Sequence, residues 1–387
     1  MNGKRVLFVL KRAGMGGSCA SMINLLSIYK EQGIDFDVFL MEHTGVWTQT
    51  VAKYTNLLPE DIALSSAIKE KIHLQGLVQY LLRIVFVLSH KLRGKAWAVE
   101  KLYRTAARKL SNRYDHVIAY QESETTEFAS YIKAPHKIAW VHTDFERFWK
   151  SGAIGARQEI YDAYQDVVCV TDASVRSVIK NLGYPEVRVH LVRNTLPSAR
   201  IRERGAEAVP EEHTRKKPFL FVSVGRLSEE KAFERIPQAA RLLADKGMDF
   251  DWYLIGDGAT KQEVAEEISR CAVEEHVHLL GAQMNPYRYI SMADCLVITS
   301  RYEAQPMVAN EALILDKPVI STEFASVREV VQEGENGAIV SQTPEAIAEA
   351  LERFMNDTQY RQVLQDGAGR FCYSNEQELQ TLKPILE

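Results

Sequence analysis

Several things are missing from this sequence. Its five cysteines, Cys19, Cys169, Cys271, Cys295 and Cys372, are scattered, with no CxxC pair and no Cys/His cluster. That spacing fits reduced thiols in a cytoplasm and speaks against a disulfide framework or a zinc site. There is no excess of positive charge: the formal net charge is -4, so no global field attracts nucleic acid. The apolar run near the start, Val6 to Leu10, is too short for a signal peptide or a membrane span. A complete dinucleotide fingerprint is also absent, because Cys19 stands where Gly14-Met15-Gly16-Gly17-Ser18 would need its last glycine.

What is present is a chain of 387 residues, 46% hydrophobic and 25% charged, the composition of a soluble globular protein of two domains. Short apolar runs alternate with helical patterns throughout. Strands are expected at Val6–Leu10, Val38–Met41, His116–Tyr120, Lys137–Val141 and Val167–Val170, then at Phe219–Val224, Trp252–Ile255, Val277–Leu280, Cys295–Thr299 and Pro318–Ser321. That alternation predicts an α/β architecture with parallel sheets. The charged stretch 197–217, which includes Pro210, reads as a linker. It separates a first domain over 1–196 from a second over 218–370, with 371–387 expected to pack back on the first.

The two halves echo one another. Gly33-Ile34-Asp35-Phe36-Asp37-Val38 resembles Gly247-Met248-Asp249-Phe250-Asp251-Trp252, each following a strand, a glycine-bearing loop and a helix. This self-similarity predicts two Rossmann-like domains in tandem, facing each other across a cleft, with ligands at the carboxyl ends of the strands. The Asp-x-Asp pairs read as strand-entry residues flanking an inward Phe rather than as metal ligands, and no metal is expected.

The stretch with most chemical content is Ser300-Arg301-Tyr302-Glu303-Ala304-Gln305-Pro306-Met307-Val308-Ala309-Asn310-Glu311. The buried strand ahead of it and Pro306, fit for a first helical position, put Glu303 in a strand-to-helix loop and Glu311 on the helix. The open end of that helix suits pyrophosphate, and carboxylates beside it can accept from sugar or ribose hydroxyls. Taken alone, such a pair is far more often a feature of a solvated helix. A second loop, Gly225-Arg226-Leu227-Ser228-Glu229-Glu230-Lys231, sets two cations at another strand-to-helix transition. They can neutralise a departing diphosphate, or simply pair with Glu229 or Glu230. Gly16 and Gly17 allow a close backbone approach to phosphate, or only a tight turn. His142 follows the strand Lys137–Val141 at the ligand edge, where a structural histidine is the competing reading.

Together these residues resemble family four of the retaining, nucleotide-sugar-dependent glycosyltransferases, which have the GT-B fold. The resemblance is most specific over Phe219 to Val340. The family's E-x7-E motif falls on Glu303, by the donor sugar, and Glu311, on the ribose hydroxyls. Its diphosphate-binding Arg and Lys fall on Arg226 and Lys231, its first glycine loop on Gly16 and Gly17, and its cleft histidine on His142. Gly256-Asp257-Gly258, Asn194 and Lys317-Pro318-Val319-Ile320 are further landmarks. The resemblance implies catalytic roles for His142, Arg226, Lys231 and Glu303. It implies donor binding by Gly16, Gly17, Arg226, Lys231, Glu303, Ala304, Gln305, Pro306 and Glu311. Where the family has glycine, this chain has Ala232 and Ala304; a left-handed backbone at either would cost an alanine on the order of 1 kcal/mol.

The implied activity is transfer of a hexose or N-acetylhexosamine from a nucleotide diphosphate sugar, a UDP-sugar by the family's habit, with retention and without a metal or other cofactor. The implied acceptor is a glycan or lipid-linked glycan in surface-polysaccharide assembly. A GT-B sugar-nucleotide epimerase and a non-catalytic sugar-nucleotide-binding protein are the alternatives. Residues 74–113 suggest where a lipid would be met: Leu74, Leu77, Leu81, Val85 and Leu88 recur at helical spacing. Further on, Lys101, Arg104 and Arg108 oppose Val99, Leu102, Tyr103, Ala106 and Leu110. A basic amphipathic helix suits an anionic membrane surface, and a cytoplasmic protein peripheral to the inner face of the membrane is expected; a helical cover on the first sheet is the competing reading.

Overall fold

The computed structural model describes residues 4–14, 16–68 and 77–386. The chain forms two compact units, residues 1–195 with 375–387 and residues 196–374. The first is built on a seven-stranded parallel sheet. Its strands are β1 (Val6–Leu10), β2 (Asp37–Leu40), β3 (Asn56–Leu57), β4 (His116–Ala119), β5 (His136–Val141), β6 (Asp166–Cys169) and β7 (Val189–Leu191), in the order β3-β2-β1-β4-β5-β6-β7. The second holds six: β8 (Phe219–Val224), β9 (Phe250–Ile255), β10 (Val277–Gly281), β11 (Cys295–Ile298), β12 (Val319–Thr322) and β13 (Gly337–Val340), in the order β10-β9-β8-β11-β12-β13. Both are Rossmann-like. The central strands β1, β4, β9 and β11 are buried along their whole length, which is why they read as continuous apolar runs rather than alternating ones.

Strand order reverses once in each sheet, between β1 and β4 and between β8 and β11. At such a switch point the two neighbouring loops lead away to opposite faces and leave a crevice at the carboxyl end of the strands. Register fixes the place: Phe8 pairs with both Val38 and Ile118, and Val222 with both Tyr253 and Leu296.

Three strands lie outside the sequence expectation, and each has a local cause. β3 and β7 are too short to show a period. β13 opens with Gly337, where a Cβ would stand 2.1 Å from the Val319 carbonyl oxygen, so close pairing with β12 demands the residue that weakens the strand pattern. The stretch 197–217 is not a free linker. It contains the helix Ser198–Gly205, whose Ile201 is fully buried in the second unit's core with Tyr289, Ile290 and Leu313. One apolar anchor among arginines and glutamate suffices there, and composition alone hides it. At the other end, the helix Glu376–Leu386 groups with the first unit, with Leu382 and Leu386 buried.

The echoing Asp-x-Asp segments enter β2 and β9, the strand flanking the first strand of each sheet. Asp37 accepts from Asn56 Nδ2 and the Tyr114 hydroxyl, each at 2.6 Å, and Asp251 meets His278 Nε2 at 2.9 Å, while Phe36 and Phe250 point inward.

In the helix Lys95–Leu110 the apolar face expected to meet a membrane is packed inside instead: Tyr103, Ala106 and Leu110 are buried in the first unit's core, with Val99 and Leu102 against it. The preceding helix, Leu77–Arg93, is the one with exposed apolar side chains, Val85 at 60%, Leu88 at 51% and Leu92 at 82%. Leu74 and the side chains of Leu77 and Leu81 lie outside the described residues. No helix among the described residues is long and apolar enough to cross a membrane.

Candidate functional site

The loops on either side of the second unit's switch point are tied together. Thr299 Oγ1 donates to the Lys231 carbonyl (2.8 Å) and Arg301 N–H to the Glu230 carbonyl (2.8 Å), joining the loop after β11 to the loop after β8, and Arg235 Nη1, at the start of the helix Arg235–Asp245, donates to the Thr299 carbonyl (2.9 Å). The Arg301 guanidinium also donates to the Glu229 carbonyl and pairs with Glu234 at 2.5 Å. The loop after β8 is pressed as tightly against the loop after β9. A Cβ on Gly256, whose φ is +155°, would sit 1.8 Å from the Gly225 carbonyl oxygen, and one on Gly258 2.1 Å from that of Leu227. Only glycine allows these approaches.

At the centre of this stitching Lys231 Nζ lies 2.8 Å from Glu303 Oε2. Ser300 Oγ donates to the other Glu303 oxygen at 2.6 Å, so each carboxylate oxygen has a partner, and Ser326 Oγ fixes the backbone by donating to the Glu303 carbonyl at 2.9 Å. Neither Glu229 nor Glu230 takes Lys231. Arg226 is exposed, and its guanidinium makes no hydrogen bond or ion pair among the described residues. The chain leaves Lys231 through Ala232, fully buried and left-handed at φ 52° and ψ 41°. Ala304 is not at positive φ. Of the two alanines standing where the resembled family has glycine, only Ala232 is strained.

The helix that follows is Met307–Ile314; Pro306 is its N-cap, one position before the first helical residue expected for it. Met307 N–H bonds the Gln305 carbonyl and Ala309 N–H the Pro306 carbonyl, so this helix end is less open to an anion than the sequence pattern implies. Glu311 sits one turn in, 9% exposed, and burial pushes its carboxyl up to about 7. The Tyr287 hydroxyl at 3.3 Å and the charges of Lys231 and Arg204 oppose that rise. Lys231, Glu303 and Glu311 thus lie together on one unit, Lys231 reaching the other two from a loop some seventy residues earlier in sequence, and Arg226 sits on that same earlier loop. Tyr287 and Arg204 join them, and sequence reasoning missed both: Tyr287 opens a six-residue helix with no motif, and Arg204 lies in the stretch read as a linker.

His142, Gly16 and Gly17 belong to the first unit. Gly16 is the extended N-cap of the helix Gly17–Glu31 and Gly17 its first residue; neither is at positive φ, and a Cβ on Gly17 would meet nothing within 4 Å. The sterically demanding glycine nearby is Gly45, at φ +116° with its missing Cβ 2.1 Å from the Ala13 carbonyl oxygen. His142 stands at the end of β5, its ring 4.8 Å from that of Tyr120 and parallel to that of Trp140. Burial lowers its imidazole to about 3, so it is neutral at physiological pH, and Nε2 has no partner among the described residues. Its backbone N–H and that of Thr143 donate to Glu122 Oε1. Glu122, buried at 5% exposure with its carboxyl pushed up by burial, is a third residue that no motif marks.

Comparison with known proteins places this architecture in a class. The fold is that of GT-B glycosyltransferases: TarM of Staphylococcus aureus superposes with a TM-score of 0.73 at 13% identity, covering 100% of this chain and 99% of that one. HepE of Anabaena, solved in complex with UDP and glucose, gives 0.65 at 16% identity over 98% and 95%. Residues 206–370, most of the second unit, match the family described as Glycosyl transferases group 1. Curated relatives include the alpha-D-kanosaminyltransferase of Streptomyces kanamyceticus, 26% identical over 234 residues, 58% of this chain and 60% of that protein. The O-antigen biosynthesis glycosyltransferase WbnH of Escherichia coli is 25% identical over 212 residues, 54% and 57%. The chain spans little more than half the length of these relatives.

Proposed function

We propose that this protein is a retaining glycosyltransferase that moves a hexose or N-acetylhexosamine from a UDP-sugar to a glycan or lipid-linked acceptor in surface-polysaccharide assembly. The observation that carries the reading is the Lys231–Glu303 pair with Arg226 unengaged on the same loop and Glu311 one helix turn on, at the second unit's switch point. Arg226 forks onto the diphosphate and Lys231 adds a point charge, so the negative charge that develops as the C1–O bond breaks is met by fixed cations. Glu303, already engaged by Lys231 and Ser300, binds donor hydroxyls rather than attacking C1. The acceptor oxygen bonds C1 on the face the diphosphate leaves, and its proton passes to the departing phosphate oxygen. Glu311 accepts from the ribose hydroxyls. These cations carry the step without a metal.

The nucleotide comes from HepE, whose structure holds UDP, and the setting from WbnH, named for O-antigen biosynthesis. The helix Leu77–Arg93 is the element that brings the enzyme to an anionic membrane where a lipid-linked acceptor is presented. Its exposed Val85, Leu88 and Leu92 run into Lys91, Arg93 and Lys95, and no acidic residue occurs between Glu70 and Glu100. The Trp97 ring, between Arg93 at 4.8 Å and Lys101 at 4.9 Å, has the mixed character of an interfacial anchor.

The test is a thermal-shift screen of UDP, GDP, ADP and their sugar conjugates, followed by transfer assays with and without a chelator. A donor at 100 times its dissociation constant adds about 2.7 kcal/mol of stability. Transfer unaffected by the chelator, with an α-linked product from an α-linked donor, is expected. Free nucleotide released without any acceptor requirement would indicate the epimerase reading, and binding without turnover over a wide acceptor panel the non-catalytic one.

A further inference from the structure

Glu311 has one oxygen engaged and one open. Its Oε1 lies 3.3 Å from the Tyr287 hydroxyl, while Oε2 has no hydrogen-bond partner among the described residues. Tyr287 is itself fixed. It opens the helix Tyr287–Met292, and the Arg204 guanidinium lies 5.4 Å from its ring centroid, with Arg204 Nη2 anchored on the Met284 carbonyl at 2.6 Å. The helix Tyr287–Met292 thus contacts this carboxyl group directly, while the charges of Arg204 on the helix Ser198–Gly205 and of Lys231 on the loop after β8 act on it.

We propose that Tyr287 is a specificity-determining positioning residue, which ties one oxygen of Glu311 so that the other is presented to a vicinal ribose diol and the site selects ribonucleotides over deoxyribonucleotides. The inference rests on the donor-site reading above and names a residue that no motif supplies. A carboxylate free to rotate can offer either oxygen to a single hydroxyl. One pinned at Oε1 offers a single oxygen in a fixed direction, and the geometry of the 2′- and 3′-hydroxyls is then discriminated. The hydroxyl also favours the ionised carboxyl against the burial that disfavours it. The groups that set that balance are Tyr287, Lys231 and Arg204 around Glu311, with Arg200 acting on Tyr287.

The experiment is calorimetric titration of UDP and 2′-deoxy-UDP into the intact protein and the Tyr287→Phe variant, between pH 6 and 9. Phe keeps the ring and its packing, and a melting curve checks the fold. Loss of one hydrogen bond of this length to a carboxylate weakens UDP binding about fivefold. The preference for UDP over the deoxy form is expected to collapse towards unity, and the pH at which affinity is half lost to move upward. In a Glu311→Gln background, Tyr287→Phe is expected to change nothing further. An unchanged ribose preference in Tyr287→Phe, or equal weakening of both nucleotides with no pH shift, overturns the proposal and leaves the donor site standing. An unaltered protein that binds no nucleotide overturns the donor-site reading, and this inference with it.

Discussion

Lys231 Nζ and Glu303 Oε2 stand 2.8 Å apart, and through them the loop after β8 and the loop after β11 share one charge pair at the point where strand order reverses. The Glu303 side chain is only 8% exposed, so its partner cannot be removed without leaving a carboxylate shielded from water. Lys231→Ala is expected to lower donor hydrolysis and transfer at least about tenfold, roughly 1.4 kcal/mol of transition-state stabilisation. It is also expected to lower the melting temperature. The double variant Lys231→Met/Glu303→Gln recovers part of the stability and none of the activity. Unchanged steady-state kinetics in Lys231→Ala would remove the pair from the mechanism.

Glu311 gives a pH signature in stability. Its carboxyl is raised by burial to about 7, against 4.5 for the free group, so the native state holds a proton that the unfolded chain has released between those values. The contribution is therefore fully present below pH 4.5 and is lost as pH rises through about 7. Glu311→Gln cannot ionise. Near pH 5 it is expected to unfold like the unaltered protein, and at pH 8 to be more stable on the order of 2–3 kcal/mol, while losing ribose affinity. Denaturant titrations at the two pH values measure this; equal stability at pH 8 counts against a strained, buried carboxylate.

The two alanines should respond oppositely to glycine. Ala232 is left-handed, and Gly relieves a steric cost on the order of 1 kcal/mol. Ala304 has no positive φ, and there Gly only adds freedom to the unfolded chain, a loss of about 0.4–1 kcal/mol. Ala232→Gly is thus expected to be the more stable of the two by about 1 kcal/mol. Equal effects in thermal melts would mean that the Ala232 backbone carries no strain.

Co-sedimentation tests the proposed membrane role of the helix Leu77–Arg93. The intact protein is expected to pellet with vesicles containing anionic lipid and less with neutral ones, and added salt should weaken the recovery. Leu88→Glu/Leu92→Glu places charge at two exposed positions, so the fold should be preserved and the vesicle-bound fraction lost. Recovery in the supernatant regardless of lipid charge would rule out docking by this helix.

Reading this protein from its residues alone works where a local rule governs. Phe219–Val224 is recognisable as a buried strand because six consecutive residues go into a sheet covered on both faces. The spacing of Glu303 and Glu311 is legible because a strand-to-helix turn imposes it. Ile201 is not, because a single anchor in a charged helix leaves no periodicity. Tyr287 and Glu122 are not, because their meaning lies in what packs against them. The basic face of Lys95–Leu110 misleads, since its apolar side is satisfied by the core rather than by lipid.

The sequence by itself determined the α/β class, most of the strands, and which loops carry cations and carboxylates, because burial and turn chemistry act over a few neighbouring residues. The tertiary structure decided which of those charges meet. Lys231 could have paired with its neighbours Glu229 or Glu230; it pairs with Glu303, brought beside it by the adjacency of β8 and β11. The ionisation of Glu311 and His142 was decided there too, since desolvation depends on everything that surrounds a group and not on its place in the chain.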